Sequence, residues 1–389
     1  MTDSAYDWLP DRHLGVAATL AHSDELIGQI SDLLFPYQTQ PEGIIRLRED
    51  RHGSVSRTVV AGVAPMPRKI PLLVADALVA LRAAIEHTIF TEVEHLDGAL
   101  DEKAAKVVEM PAFTTSENFE GWMKGRKKNG SPSLQDGSEI VRRIEALQPF
   151  HSQPDPELHP LARLVSHTNH AKHRTPAVVA VGLAGMYEDA NVPASIDDLP
   201  PGPVGPLNVG DVLAETPIGV QIPVTLFPFV GINRPGTDVW PVLLKELDEI
   251  AEWVRTEAVP LLITGCASQE PALPVHYDIE TPHTDERPAI EAGTFQSTAA
   301  RHTRRLLAKD GRIELVELVS RLDRTPNRQT VAAWADNLSD DEVNGRLEQL
   351  AATGLRNPFL AIQVVYQFRE DVIAFTEVPA ASPEGTDIQ

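Results

Sequence analysis

Apolar residues recur at spacings of three and four through residues 13–35 (HLGVAATLAHSDELIGQISDLLF), which predicts an opening amphipathic helix. Residues 43–50 (GIIRLRED) and 54–63 (SVSRTVVAGV) alternate instead, and a turn at 51–53 makes them a β-hairpin. Pro65, Pro67 and Pro71 then lead into a helix over 72–94. Residues 111–137 are loop-like and carry the basic cluster KGRKKNG, from Lys124 to Gly130. A short helix, SEIVRRIEAL, follows with Ser138 placed to cap it. The next helix begins near Pro160, a residue suited to a first turn, and stops before Pro176, which disfavours helix in its predecessor.

Beyond it, AVVAVGLAG (177–185) is a strand, 193–206 a loop, 212–232 two strands, and 240–259 a helix. Residues 271–282 look extended, 295–320 and 328–352 helical, and NPFLAIQVVYQF with DVIAFTEV a terminal β-pair. No internal repeat or low-complexity tract is visible. The pattern predicts an α+β protein: a helical core, flanking antiparallel strands, and a small C-terminal α/β appendage. The expected division is a main domain over 1–266 carrying the two helices of interest, an appendage over 267–378, and a disordered tail over 379–389.

Composition narrows the class. With 389 residues there is room for a large core, and 42% hydrophobic and 23% charged residues are ordinary for a globular protein. The 32 prolines suggest long ordered loops. One cysteine, Cys266, excludes a disulfide framework and any Cys-rich zinc site, which points to a reducing, cytoplasmic setting; the thiol itself is expected to be packed, since it ends the apolar run LLITG with no histidine beside it. The start, MTDSAYDWLPD, is acidic rather than signal-like, and the apolar runs are too short to span a bilayer, so no membrane partner is expected.

A net charge of −22 disfavours general nucleic-acid binding, yet the acidity is uneven. Residues 101–174 hold 11 basic and 10 acidic side chains, whereas 175–300 hold 4 and 18. Local RNA binding therefore stays open, with Lys124–Lys128 either a solvated loop or an RNA-tracking element. The segment from Thr330 to Leu355 has a winged-helix outline, but its second helix would begin with Asp340, Asp341 and Glu342, which repel DNA phosphates. Sequence-specific DNA reading is thus excluded, and a protein contact suits the C-terminal region better.

Candidate chemistry falls on two helices. On the helix over 72–90, Val74, Leu78, Leu81, Ile85 and Ile89 form a core stripe. Asp76, Ala80, Ala83 and His87 share another face, where small residues would admit a second helix and put His87 at a seam. Arg82 lies about 140° from His87 on a regular helix, so the two converge only around a bend or across a symmetric dimer. Arg82 also has Glu86 one turn along, an ordinary surface pair. On the helix from Pro160, Leu161, Leu164, Val165 and Thr168 form the buried stripe, and Asn169 and His173 sit one turn apart beside Lys172 and Arg174. An amide, an imidazole and two cations suit an anionic substrate: histidine exchanges protons, asparagine orients, and cations offset phosphate charge. His167, His170 and His173 have HxxHxxH spacing, but the third turns off the face of the first, so no metal is assigned there. No GxGxxG or P-loop occurs, and no cofactor is expected.

The segments PLLVADALVALRAAIEHTIF and HPLARLVSHTNHAKHR resemble the paired motifs of a group of uncharacterised bacterial proteins. The matches are Asp76, Leu81, Arg82 and His87, then Asn169, Lys172, His173 and Arg174; the chain departs at Val79, Ala80 and Glu86. That resemblance implies a shared site but no reaction. Arg82-Ala-Ala-Ile-Glu-His87 is also similar, more loosely, to the Arg-x4-His motif of the HEPN superfamily, with Ala83 where those proteins carry a polar residue. This similarity implies antiparallel HEPN-like helices, a homodimer and metal-independent endoribonuclease activity in a defence or toxin setting. The similarity gives His87 the proton transfer and Arg82 the phosphate charge; under the ribonuclease reading Asn169 and His173 join them as candidate catalytic residues, and Asp76, His170, Lys172 and Arg174 are the candidate substrate-binding ones. Two rivals stand beside it: a non-catalytic binding or scaffold protein whose polar groups form a buried network, and a metal-dependent hydrolase built on the histidines.

Overall fold

The computed structural model of the chain describes residues 5–126, 130–191, 193, 198–200, 202–220 and 222–377. Helices α1 (Leu14–Gln38) and α2 (Lys69–Asp97) are joined by the hairpin β1 (Ile45–His52) and β2 (Val55–Val63). The two helices run antiparallel: His13 just before α1 reaches Glu92 near the end of α2, and Ser23 donates to the Ala77 carbonyl midway. Strand register runs from Ile45↔Val63 to His52↔Val55, and Gly53 turns the hairpin at φ 63°, where a side chain would be strained.

Four helices follow: α3 (Glu102–Ala105), α4 (Ser116–Arg126), α5 (Glu139–Ala146) and α6 (Pro160–His173). Ser138 caps α5 by accepting from the Val141 amide, and Pro160 opens α6, both as the sequence predicts. Then come β3 (Val179–Glu188), β4 (Val212–Pro217) and β5 (Val224–Ile232). Strand β4 returns to pair antiparallel with β2, giving the order β1-β2-β4, while β3 and β5 form a separate antiparallel pair. Helix α7 (Leu243–Trp253) passes through one π-helical turn, Val254–Ala258, into α8 (Val259–Thr264), and α9 (Arg287–Glu291) is short. The chain is 55% helical and 13% strand, so it is an α+β protein whose core is helical and whose sheets flank it.

The chain forms two compact units, dividing after Ala299. In the first, Leu81 and Ile85 of α2, Leu164 of α6, and Leu247 and Ile250 of α7 are buried in one core. Leu273, Tyr277 and Ile290 belong to that same core, so residues 267–299 pack with the first unit and not with an appendage. The second unit holds the rest of α10 (Thr298–Ser320), then α11 (Arg328–Asn337), α12 (Asp340–Arg356) and α13 (Pro358–Glu377). Leu315, Val319, Trp334, Val343, Phe368 and Val372 make its core.

Three expectations are corrected here. The terminal β-pair is the helix α13: its β-branched and aromatic residues suggest strand, but Val365, Phe368 and Val372 are buried at helical spacing while Phe359, Ile362 and Tyr366 are exposed. The appendage is therefore helical, with no strand among its described residues, and Asp340, Asp341 and Glu342 open α12 behind the Ser339 cap. Within the expected loop over 111–137, α4 forms because Phe119, Trp122, Met123 and Arg126 fall on one buried face. Arg126 of the basic cluster lies 3.7 Å over the Trp122 ring and pairs with Glu109 at 2.7 Å, so it packs inside the unit and not on a solvated loop. Lys127, Lys128 and the tail over 379–389 lie outside the described residues. No described helix is long and apolar enough to cross a membrane.

Candidate functional site

Helix α2 forms because Ile70, Leu73, Val74, Ala77, Leu78, Leu81, Ile85 and Ile89 recur at helical spacing and bury one face. Arg82 leaves at the edge of that face and meets α6. Its Nη1 donates to Thr168 Oγ1 at 3.0 Å and to Asn169 Oδ1 at 3.2 Å, and its Nε to Glu86 Oε1 at 3.4 Å. The other Glu86 oxygen accepts from the Met110 amide at 2.9 Å. Burial pushes the Glu86 carboxyl above its ordinary range, against the opposing pull of the Met110 amide and of Arg82. The Arg82 side chain keeps 18% of its surface, and its Nη2 has no partner among the described residues and is not sealed from solvent. A guanidinium tethered by three side-chain oxygens with one terminal nitrogen free is a pre-oriented donor for an anion.

The other sequence-predicted residues surround this junction loosely. His87 is exposed on α2, and Lys172, His173 and Arg174 are exposed where α6 ends. No hydrogen bond or ion pair joins His87 to His173 among the described residues. His170 is half-buried. Asn169, expected to orient a histidine, orients Arg82 instead, because its amide oxygen faces Nη1. Asp76 and His87 do not lie in a covered seam within the protomer: both are exposed, with Ala80 and Ala83 half-buried between them.

The histidine series does not assemble. His167 is buried with its Nε2 3.4 Å from Glu246 Oε1, whereas His173 faces solvent, and no metal-competent cluster occurs among the described residues. Cys266 is exposed rather than packed, since α8 ends at Gly265 in the left-handed conformation and the chain turns outward there.

Sequence reading missed a buried ionic knot behind the junction. Glu246 of α7 has no exposed side-chain surface and accepts from Arg163 of α6 at 2.7 Å. Arg234, just past β5, grips both of its oxygens, at 3.0 and 2.7 Å. Arg163 also reaches Glu249 at 2.8 Å. Burial alone would raise the Glu246 carboxyl, but hydrogen bonds from His167 and Arg234 and the charge of Arg163 bring it down to about 2. The knot ties α6 to α7 and so fixes the helix that presents Thr168 and Asn169. At its other end α6 is capped by His159, whose Nδ1 accepts from the Leu161 amide at 3.1 Å. Burial, then the nearby Arg163 and His151, lowers the His159 imidazole to about 4, which keeps that nitrogen an acceptor.

A second buried cluster anchors α1 to α2, with His13 Nε2 2.6 Å and Arg12 Nε 2.9 Å from Glu92 Oε1. Both clusters brace one element against another. Arg163, Arg234 and Glu246 gave no signal because a buried arginine or glutamate has the same local pattern as a solvated one.

The resemblances to the bacterial group and to HEPN ribonucleases rest on the motif residues alone. Comparison with protein-family models, with curated proteins and with solved structures finds no match.

Proposed function

We propose that the junction of α2 and α6 binds a phosphodiester of RNA, and that the protein is a metal-independent endoribonuclease. The observation that carries this reading is the tethered Arg82 with its open Nη2. Arg82 meets the phosphate through that nitrogen, and the exposed Lys172 and Arg174 add charge from the end of α6. His87 and His173, exposed and without partners among the described residues, exchange the protons: one takes the proton of the ribose 2′-hydroxyl as its oxygen attacks phosphorus, the other protonates the departing 5′-oxygen. Asn169 and Glu86 hold Arg82 rather than touch substrate. The HEPN resemblance places such an activity in a defence or toxin setting.

A second reading also has an observation behind it. Arg82 commits Nε and Nη1 to oxygens of its own chain and is mostly buried, as expected of a clamp in a non-catalytic scaffold. One experiment separates them: purified protein with mixed RNA in the presence of chelator, comparing wild type, His87→Ala and Arg82→Ala. Cleavage that survives chelation and is lost in His87→Ala, with an unchanged melting temperature for that exposed residue, supports the ribonuclease. An inactive wild type, with a melting temperature that falls only in Arg82→Ala, supports the scaffold.

A further inference from the structure

Strand β3 changes phase part-way along. Leu183 pairs with Pro228 and Gly185 with Phe227, so Ala184 is an extra residue, a β-bulge. Strict alternation would put Leu183 and Met186 on opposite faces; the bulge puts Leu183, Met186 and Glu188 on the same one. The Ala184 carbonyl accepts from the Gly202 amide at 3.0 Å, which draws Gly202 onto β3. A Cβ at Gly202 would lie 1.9 Å from the Leu183 carbonyl oxygen, so only glycine admits the approach.

Between this face of β3, Pro200 and Pro203 beside Gly202, and Leu213 near the start of β4 lies a cavity of about 680 Å³. That is the size of a small-molecule site. Its walls are mainly apolar, and its charged side chains among the described residues are Glu188 and Asp198, both exposed at the rim. Asn191 donates to one Glu188 oxygen at 3.1 Å. No lysine, arginine or histidine lines the cavity among the described residues, and residues 175–300 around it hold 4 basic against 18 acidic side chains. The field there is negative and draws cations. A bare metal ion does not fit, since no group of three ligating side chains occurs among the described residues. Apolar walls below two carboxylates suit a cation that carries its own apolar body.

We propose that this cavity binds a small organic cation, an aryl or alkyl ammonium. Its apolar part lies against Met186, Leu213 and the two prolines, and its nitrogen, with up to three donors, meets Glu188 and Asp198. The site shares no residue with the α2–α6 junction and does not depend on the ribonuclease reading.

The test is an NMR titration of the full chain with three probes of one shape: 4-phenylbutylamine, 4-phenylbutanol and 4-phenylbutyrate. The amine is expected to bind in the low millimolar range or tighter, the alcohol roughly tenfold more weakly, and the carboxylate not at all. Glu188→Gln and Asp198→Asn should each weaken the amine about twofold to fivefold and leave the alcohol unchanged. Met186→Lys sets a cation in the apolar wall, so it should abolish amine binding and admit the carboxylate. Glu42→Gln, an exposed carboxylate outside the cavity, should change nothing, which separates the site from the general pull of a chain of net charge −22. No amine binding at roughly 20 mM, or an alcohol that binds as tightly as the amine, overturns the proposal. So does an amine indifferent to both Glu188→Gln and Asp198→Asn, or weakened as much by Glu42→Gln.

Discussion

Replacing Glu246 by glutamine should be among the most damaging single changes in the first unit. The side chain is fully buried, accepts from Arg163 and from both donors of the Arg234 fork, and lies against His167. Glutamine keeps the shape and removes the charge, leaving Arg234 without its counter-ion and Arg163 with only the half-exposed Glu249, a loss on the order of 3–5 kcal/mol. The carboxyl's affinity for protons gives a second route to the magnitude. Its fall from 4.5 to about 2 corresponds to about 3 kcal/mol of stability at neutral pH.

Because the folded value is depressed, that stability is present above pH 4.5 and is lost as the pH drops toward 2. Thermal melts followed by circular dichroism should show Glu246→Gln lower by roughly 5–10 °C at pH 7, with the gap closing as wild type is acidified through that window. Glu249→Gln, which removes the 43%-exposed partner of Arg163, should shift melting little. A Glu246→Gln protein that melts within about 1 °C of wild type, or that keeps its deficit undiminished at pH 2.5, refutes the knot as a source of stability.

Two further outcomes are expected. His159→Ala removes the cap of α6 at a cost of about 1 kcal/mol in urea melts. Since the folded His159 is held at about 4, below the 6.5 of an unperturbed imidazole, wild-type stability should decline as pH falls from 6.5 to 4, and this part of the decline should vanish in the variant. In the second unit, Ser339→Ala breaks the reciprocal Ser339–Glu342 cap of α12 and should lower its stability by about 1 kcal/mol, visible as faster amide exchange in the first turn of that helix.

What the sequence made legible was local. Ser138, Pro160 and Pro176 mark helix ends by their own backbone chemistry, and α5 and α6 follow them. The hairpin and the two strands within 212–232 follow from alternation and their glycine turns. Where composition and period conflicted, composition misled: the glycines and lysines around Trp122 hid α4, and the valines of α13 imitated a strand. For the site, the motifs named both sides of the Arg82–Asn169 contact, because each is distinctive in its own segment. Tertiary partners were out of reach. Nothing local to Arg163, Arg234 or Glu246 says that residues so far apart share one buried charge centre, and nothing local to His87 says which side of α2 faces water.

The pairing of β4 with β2 has a consequence for how the protein is made. The β1–β2 hairpin is complete once Val63 has been synthesised, but the strand that covers its outer edge begins only at Val212. At ribosomal rates of about 5–20 residues per second, that edge waits on the order of ten seconds with its amides and carbonyls open to other strands. Slowing elongation between α2 and β4 should therefore raise the aggregated fraction of nascent chains, whereas slowing it after Pro217 should not.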